Sequence, residues 1–157
     1  MKKYLFDCGT RDATASLGFF ALRVLVGLMM LLGHGIPKMK NYQIRKDLFY
    51  VPDFFPFNLV TPQISLLSCI AAEVGAAALI IIGLATRPAA FVLGLCMVVA
   101  AFGFLNGAPW FVNSATLVDT KELSVMYLIA MIAMILGGAG KYSFDAWIYK
   151  DSKRRRW

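Results

Sequence analysis

The amino-acid sequence predicts an all-α integral membrane protein, a four-helix bundle with antiparallel up-down topology. Three observations carry this expectation. Of the 157 residues, 59% are hydrophobic and the mean hydropathy is +0.67. A soluble domain averages about 45–50% apolar residues even counting glycine, and one of this size has too little interior to hide more. Four stretches approach the roughly 20 apolar residues that cross a bilayer. The link between the second and third, LATRP, is too short to let those helices be anything but antiparallel neighbours. The length allows one domain, residues 1–157.

The first stretch runs from Ser16 to about Ile36. It is not a cleavable signal peptide, because Asp7, Arg11 and Asp12 separate Lys2 and Lys3 from an apolar run too long for one. A long loop, 38–62, follows. It carries Tyr42, Phe49, Tyr50, Phe54, Phe55 and Phe57, with Pro52, Pro56 and Pro62. Aromatic side chains collect at the headgroup level, so the loop is expected in the outer interface, with a short helix around 42–50. It serves either as an aromatic anchor or as a lid over a site that opens sideways into lipid. The second stretch is Gln63–Leu84, with Gly83 suited to a helix end. The third is Pro88–Asn106, whose proline suits a first helical turn. A shorter aromatic loop leads to the fourth, Glu122–Gly138, which ends in Gly137-Gly138. VGLMM (26–30) and LGLCM (93–97) hint at a two-helix duplication, although chance explains so short a match equally well.

Lysine and arginine set the orientation. Both termini and the second link together carry ten, Lys2, Lys3, Arg11, Arg87, Lys141, Lys150, Lys153, Arg154, Arg155 and Arg156. The opposite side carries five, Lys38, Lys40, Arg45, Lys46 and Lys121. This places both termini in the cytoplasm and the chain in the cell's inner (plasma) membrane. The net charge of +7 gathers in the tail 141–157. On a membrane protein such a tail anchors to anionic headgroups, so membrane lipids are the expected partner and nucleic acid is not.

Cys8, Cys69 and Cys96 form no C-x-x-C pair and no zinc spacing. Two lie in apolar stretches, where cysteine is usually a small core residue. That argues against a thiol oxidoreductase passing electrons through its own cysteines. The lone histidine excludes haem held by two histidines and a metal held by three nitrogens.

Ionisable groups in lipid cost roughly 2.5–3.5 kcal/mol each, so they face the bundle interior and mark function by default. Four stand out: Arg23, His34, Glu73 and Glu122. At about 1.5 Å per residue, Arg23 lies about 10 Å above the inner end and His34 about 27 Å, while Glu73 lies about 15 Å below the outer end. This predicts an Arg23–Glu73 pair at mid-membrane. It also predicts a second level near the outer face, made of His34 and Glu122, with Lys38 and Asn106 close by. Gly27, four residues after Arg23, leaves room for a neighbouring helix or a ligand. Simpler roles stand beside these. The arginine pair could be only a clamp, and Glu122 could serve the positive end of its helix dipole. GHGIPK (33–38) is expected to close the first helix at the outer face, with His34 turned into a cavity shared with Glu122.

Arg23 before GHGIPK, the glutamate in AAEVGAAALIIIGLATRPAA (71–90), the glutamate in KELSVMYLI (121–129) and the exit GGAGKYSFD (137–145) together resemble the DoxX family. These are small four-helix bacterial and archaeal membrane proteins, and the resemblance covers roughly residues 16–147. The loop 38–62 looks longer than the family's usual connection. The family is named for its likeness to a membrane subunit of thiosulfate:quinone oxidoreductase, and other members are linked to oxidoreductase complexes and oxidative-stress defence. The resemblance therefore implies a membrane subunit of a quinone-linked system. His34, Glu122, Arg23, Glu73, Asn106 and Lys38 are the candidate lining of a quinone or small-molecule pocket. With no electron cofactor of its own in view, the protein would need a protein partner, or act as a homo-oligomer. Eukaryotic relatives in the wider superfamily are chaperones or cargo receptors, which makes a non-enzymatic membrane chaperone or scaffold the alternative. A small transporter or lipid-binding protein comes third, since no stretch is broken by a mid-helix proline.

Overall fold

The computed structural model describes residues 12–53, 57–112 and 119–154, and every regular element among them is helical. Helix α1 spans Ala13–Lys40, α2 Pro62–Ile82, α3 Thr86–Phe104, α4 Glu122–Gly137 and α5 Phe144–Arg154. The first three are long and apolar enough to cross a membrane, while α4 is apolar but 16 residues long. Cys8, the basic residues 2, 3, 11, 155 and 156, and Phe54, Phe55 and Pro56 of the aromatic loop lie outside the described residues.

Local chemistry sets the helix ends. The Asp12 carboxylate accepts from Ala15 N at 2.9 Å and starts α1. Thr61 does the same for α2, with Pro62 at the first helical position. Gly83 ends α2 at φ +72° and Gly138 ends α4 at φ +76°, both in backbone regions that glycine enters freely. Helix α3 is capped from far along the chain. The buried Asp145 carboxylate accepts from Ala85 N at 2.7 Å and Thr86 N at 2.9 Å. Those bonds hold Ala85 at φ +49°, an unusual place for a residue with a Cβ.

Helix α1 packs on α2 and α4, and α3 packs on α2 and α4. Small residues permit the closest approaches. A Cβ on Gly27 would stand 3.3 Å from the Ala77 carbonyl oxygen, and one on Gly35 2.9 Å from that of Glu73. The Phe19 ring of α1 fills the space beside Gly137. Met30, Leu66, Ile80, Leu93, Met131 and Met134 form the fully buried core. The outside is equally apolar: Leu17, Leu25, Met29, Leu32, Leu67, Phe91, Met126 and Leu136 are all exposed. So large a greasy exterior is stable only in contact with lipid.

One expectation about α1 is corrected. GHGIPK does not close the helix, which runs on through Pro37 to Lys40. Residues Leu31–Gly35 form a wide π-helical turn just before the proline. Proline has no N–H to donate one turn back, and the widened turn falls where that donor is missing.

Candidate functional site

Three helices each widen into a π turn, at Leu31–Gly35, Ala71–Ala76 and Val99–Phe104. Such turns often mark functional sites, because the extra residue turns side chains away from their ordinary facing. The first carries His34 and the second Glu73. These two meet where Gly35 lets the α1 and α2 backbones approach.

Lys38, just beyond the first π turn, reaches across to α2. Its ammonium pairs with Glu73 Oε1 and stands 3.6 Å from Cys69 Sγ. Cys69 lies one turn before Glu73 on the same helix, and its thiol donates to the same Oε1 at 3.5 Å. From α3, Cys96 places its Sγ 3.7 Å from that of Cys69. Glu73 is 2% exposed, and its second oxygen, Oε2, is buried with no hydrogen-bond partner among the described residues. The cluster forms the polar end of a cavity of about 400 Å³ whose other walls are mainly apolar. Val92, Leu95 and Phe104 line it and are also exposed on the lipid-facing surface.

The aromatic loop covers this cavity. Arg45, Phe49, Tyr50, Pro52 and Val60 line it. The loop is tied down where Ser65 Oγ donates to the Tyr50 carbonyl at 2.7 Å and Gln63 Nε2 donates to Asp47 Oδ1 at 2.9 Å. The Tyr50 ring meets Phe104 edge-on at 5.8 Å and lies against Gly103 of the third π turn. Its described residues wall the cavity, an arrangement compatible with either expected role. Its short helix spans Tyr42–Arg45.

The six residues expected at one site are not all brought together. Lys38 and Glu73 meet directly. His34 is half-buried, with its ring edge-on to Tyr127 of α4 at 5.7 Å. Arg23 does not pair with Glu73. Its guanidinium donates to the Tyr142 carbonyl at 2.5 Å and the Ala139 carbonyl at 3.4 Å, filling the space over Gly83. The register explains this: α1 meets α2 with Gly35 beside Glu73 and Gly27 beside Ala77, so Arg23 sits at the far end of α2. Glu122 is exposed in the first turn of α4, where its carboxylate accepts from Val112 N at 3.2 Å. Asn106 is exposed, and its backbone oxygen accepts from Lys121 Nζ at 2.8 Å. Neither joins the Lys38–Glu73 cluster.

Cys69 and Cys96 are what sequence reasoning missed. Their spacing fits no short motif, because two different helices supply them. A signal was present all the same. Cys69 lies fourteen residues before Gly83 and Cys96 eleven after Ala85, so a tight α2–α3 turn brings them near one level. Cys69 also shares a helix face with Glu73, four residues on. The donor atoms of Cys69, Glu73 and Cys96 lie within 4.8 Å of one another, a set that a thiophilic divalent ion could use. Here the carboxylate carries a lysine cation instead.

The DoxX family model matches residues 18–106, more than half of the chain, including α2, α3, the aromatic loop and the whole Lys38–Glu73–Cys69–Cys96 cluster. No curated protein and no solved structure matches the chain. With three helices long and apolar enough to cross a membrane, the chain is a multi-pass membrane protein that belongs to the DoxX family.

Proposed function

We propose that the protein is the membrane component of a quinone-linked redox system, with the quinone seated in the cavity between α2, α3 and the loop. The observation that supports this most is the cavity's asymmetry. It is apolar along its walls and carries an ion pair at its end, a partly buried Lys38 against a buried Glu73. A quinone needs this combination, an apolar slot for ring and tail with a donor or acceptor for a carbonyl. The Lys38 ammonium has an N–H beyond those it gives to Glu73 and Cys69, Glu73 Oε2 is an acceptor without a donor among the described residues, and His34 on α1 is a proton-exchanging group nearby. Arg23, Glu122 and Asn106 are structural in this reading.

The bundle has four antiparallel spans, α4 being the fourth. Both termini are cytoplasmic, the membrane is the inner (plasma) membrane, and a protein partner or a second copy supplies the remaining redox centres. The test is quinone binding to the full-length protein in lipid nanodiscs, followed by quenching of tryptophan and tyrosine fluorescence. Wild type should bind a short-chain benzoquinone at one per chain, and Glu73→Gln should weaken this at least about tenfold. Equal binding by wild type and by Glu73→Gln with Lys38→Met would remove the cavity as the site.

A further inference from the structure

The two cysteines are placed as a working pair rather than as packing. Both are free, lie on adjacent helices and line the cavity, with their sulfurs 3.7 Å apart. Closing to a disulfide of about 2.05 Å needs an approach of only roughly 1.7 Å. A cysteine that merely fills space sits among apolar groups and is inert. Cys69 instead has an ammonium 3.6 Å from its sulfur and a carboxylate oxygen at 3.5 Å. The ammonium favours a thiolate, and the carboxylate can take the proton. Glu73 Oε2, buried and without a hydrogen-bond partner among the described residues, is a second acceptor held at the same place.

We propose that Cys69 and Cys96 are a dithiol–disulfide couple that a quinone in the cavity oxidises. This rests on the reading of the cavity as a quinone site. The oxidant must arrive from the bilayer, since Val92, Leu95 and Phe104 line the cavity and face lipid. It must also accept two electrons and two protons, which a quinone does. The step balances: two S–H bonds break and one S–S bond forms. The electron pair passes to the quinone ring, and the two protons reach its carbonyl oxygens to give a hydroquinone. Lys38 and Glu73 position and deprotonate Cys69. The couple would give the protein a redox centre of its own.

The test uses the full-length chain with Cys8→Ser, reduced and held without oxygen in lipid nanodiscs, with a short-chain benzoquinone added. One hydroquinone should form per chain, with an intact mass lower by two hydrogens and a linked Cys69–Cys96 peptide. Cys69→Ser and Cys96→Ser should each abolish hydroquinone formation and the loss of two hydrogens. Lys38→Met should slow it about tenfold and move its pH profile to higher pH, as loss of a thiolate-stabilising cation requires. A bound quinone beside two unreacted thiols overturns the couple and leaves the quinone site standing. No bound quinone and no oxidation removes both. A mass gain from quinone addition to one sulfur, or a co-purifying divalent metal that shields both thiols from alkylation, also overturns it.

Discussion

The two ends of the α1–α2 pair each hold a cation from α1, Arg23 buried and Lys38 partly so, and use it in opposite ways. At one end Arg23, 1% exposed, donates to two backbone carbonyls and lies against Gly83, with Asp145 nearby capping α3. Only an open groove adjoins it. At the other end Lys38 pairs with a side chain, two thiols complete the cluster, and a 400 Å³ cavity lies beside them. The first arrangement satisfies backbone carbonyls of the α4–α5 link. The second leaves an acceptor unused and space next to it. The difference teaches where to look: an intramembrane charge whose partners are side chains beside a void is the candidate site, while one whose partners are backbone carbonyls ties the chain together.

Substitutions sharpen this contrast, and the largest effect should come at the architectural end. Asp145→Ala strands the buried Thr86 N–H and the partly buried Ala85 N–H and should cost about 2–4 kcal/mol, read as a lower unfolding temperature in detergent, while ligand binding in the cavity by the remaining folded protein stays intact. Gly83→Ala puts a Cβ onto the Arg23 guanidinium at a positive φ, and should cost about 1–3 kcal/mol by the same assay. Gly35→Ala would press on the Glu73 backbone 2.9 Å away, so it should lower ligand affinity as well as stability by about 1–3 kcal/mol. A loss of stability with unchanged affinity there would separate the π turns from the cavity. Gly18→Ala meets nothing within 4 Å inside α1 and should stabilise the protein by about 0.5–1 kcal/mol, with ligand binding unaltered.

Much of the architecture could be read from the chain alone because it is local. Apolar length, Gly83 and Gly138 at helix ends and the short α2–α3 turn act within a few residues of themselves. The candidate site was legible only in part. Glu73 and His34 stood out, with Arg23 and Glu122, because charge in lipid is costly, and Lys38 was expected only close by at the outer level. The Arg23–Glu73 pairing was misjudged because depth was counted from Ser16 and Gln63 as the two membrane ends, whereas α1 spans Ala13–Lys40 and packs with Gly35, not Arg23, beside Glu73. Cys69 and Cys96 carry no charge and no motif, so only the α2–α3 packing reveals them. Asp145 was hidden for the same reason, as it acts sixty residues from the helix it caps.

That last contact orders events during synthesis. Ala85 and Thr86 leave the ribosome about 60 residues before the carboxylate that captures their N–H groups, a delay of roughly 3–12 seconds at ordinary rates of translation. The α2–α3 hairpin therefore enters the bilayer with its turn unlatched. The aromatic loop, the cavity and the thiol pair are all made before the piece that fastens the opposite end of the bundle. A nascent chain stalled short of residue 145 would expose that loose turn, a natural point for quality control to tell a finished protein from an unfinished one.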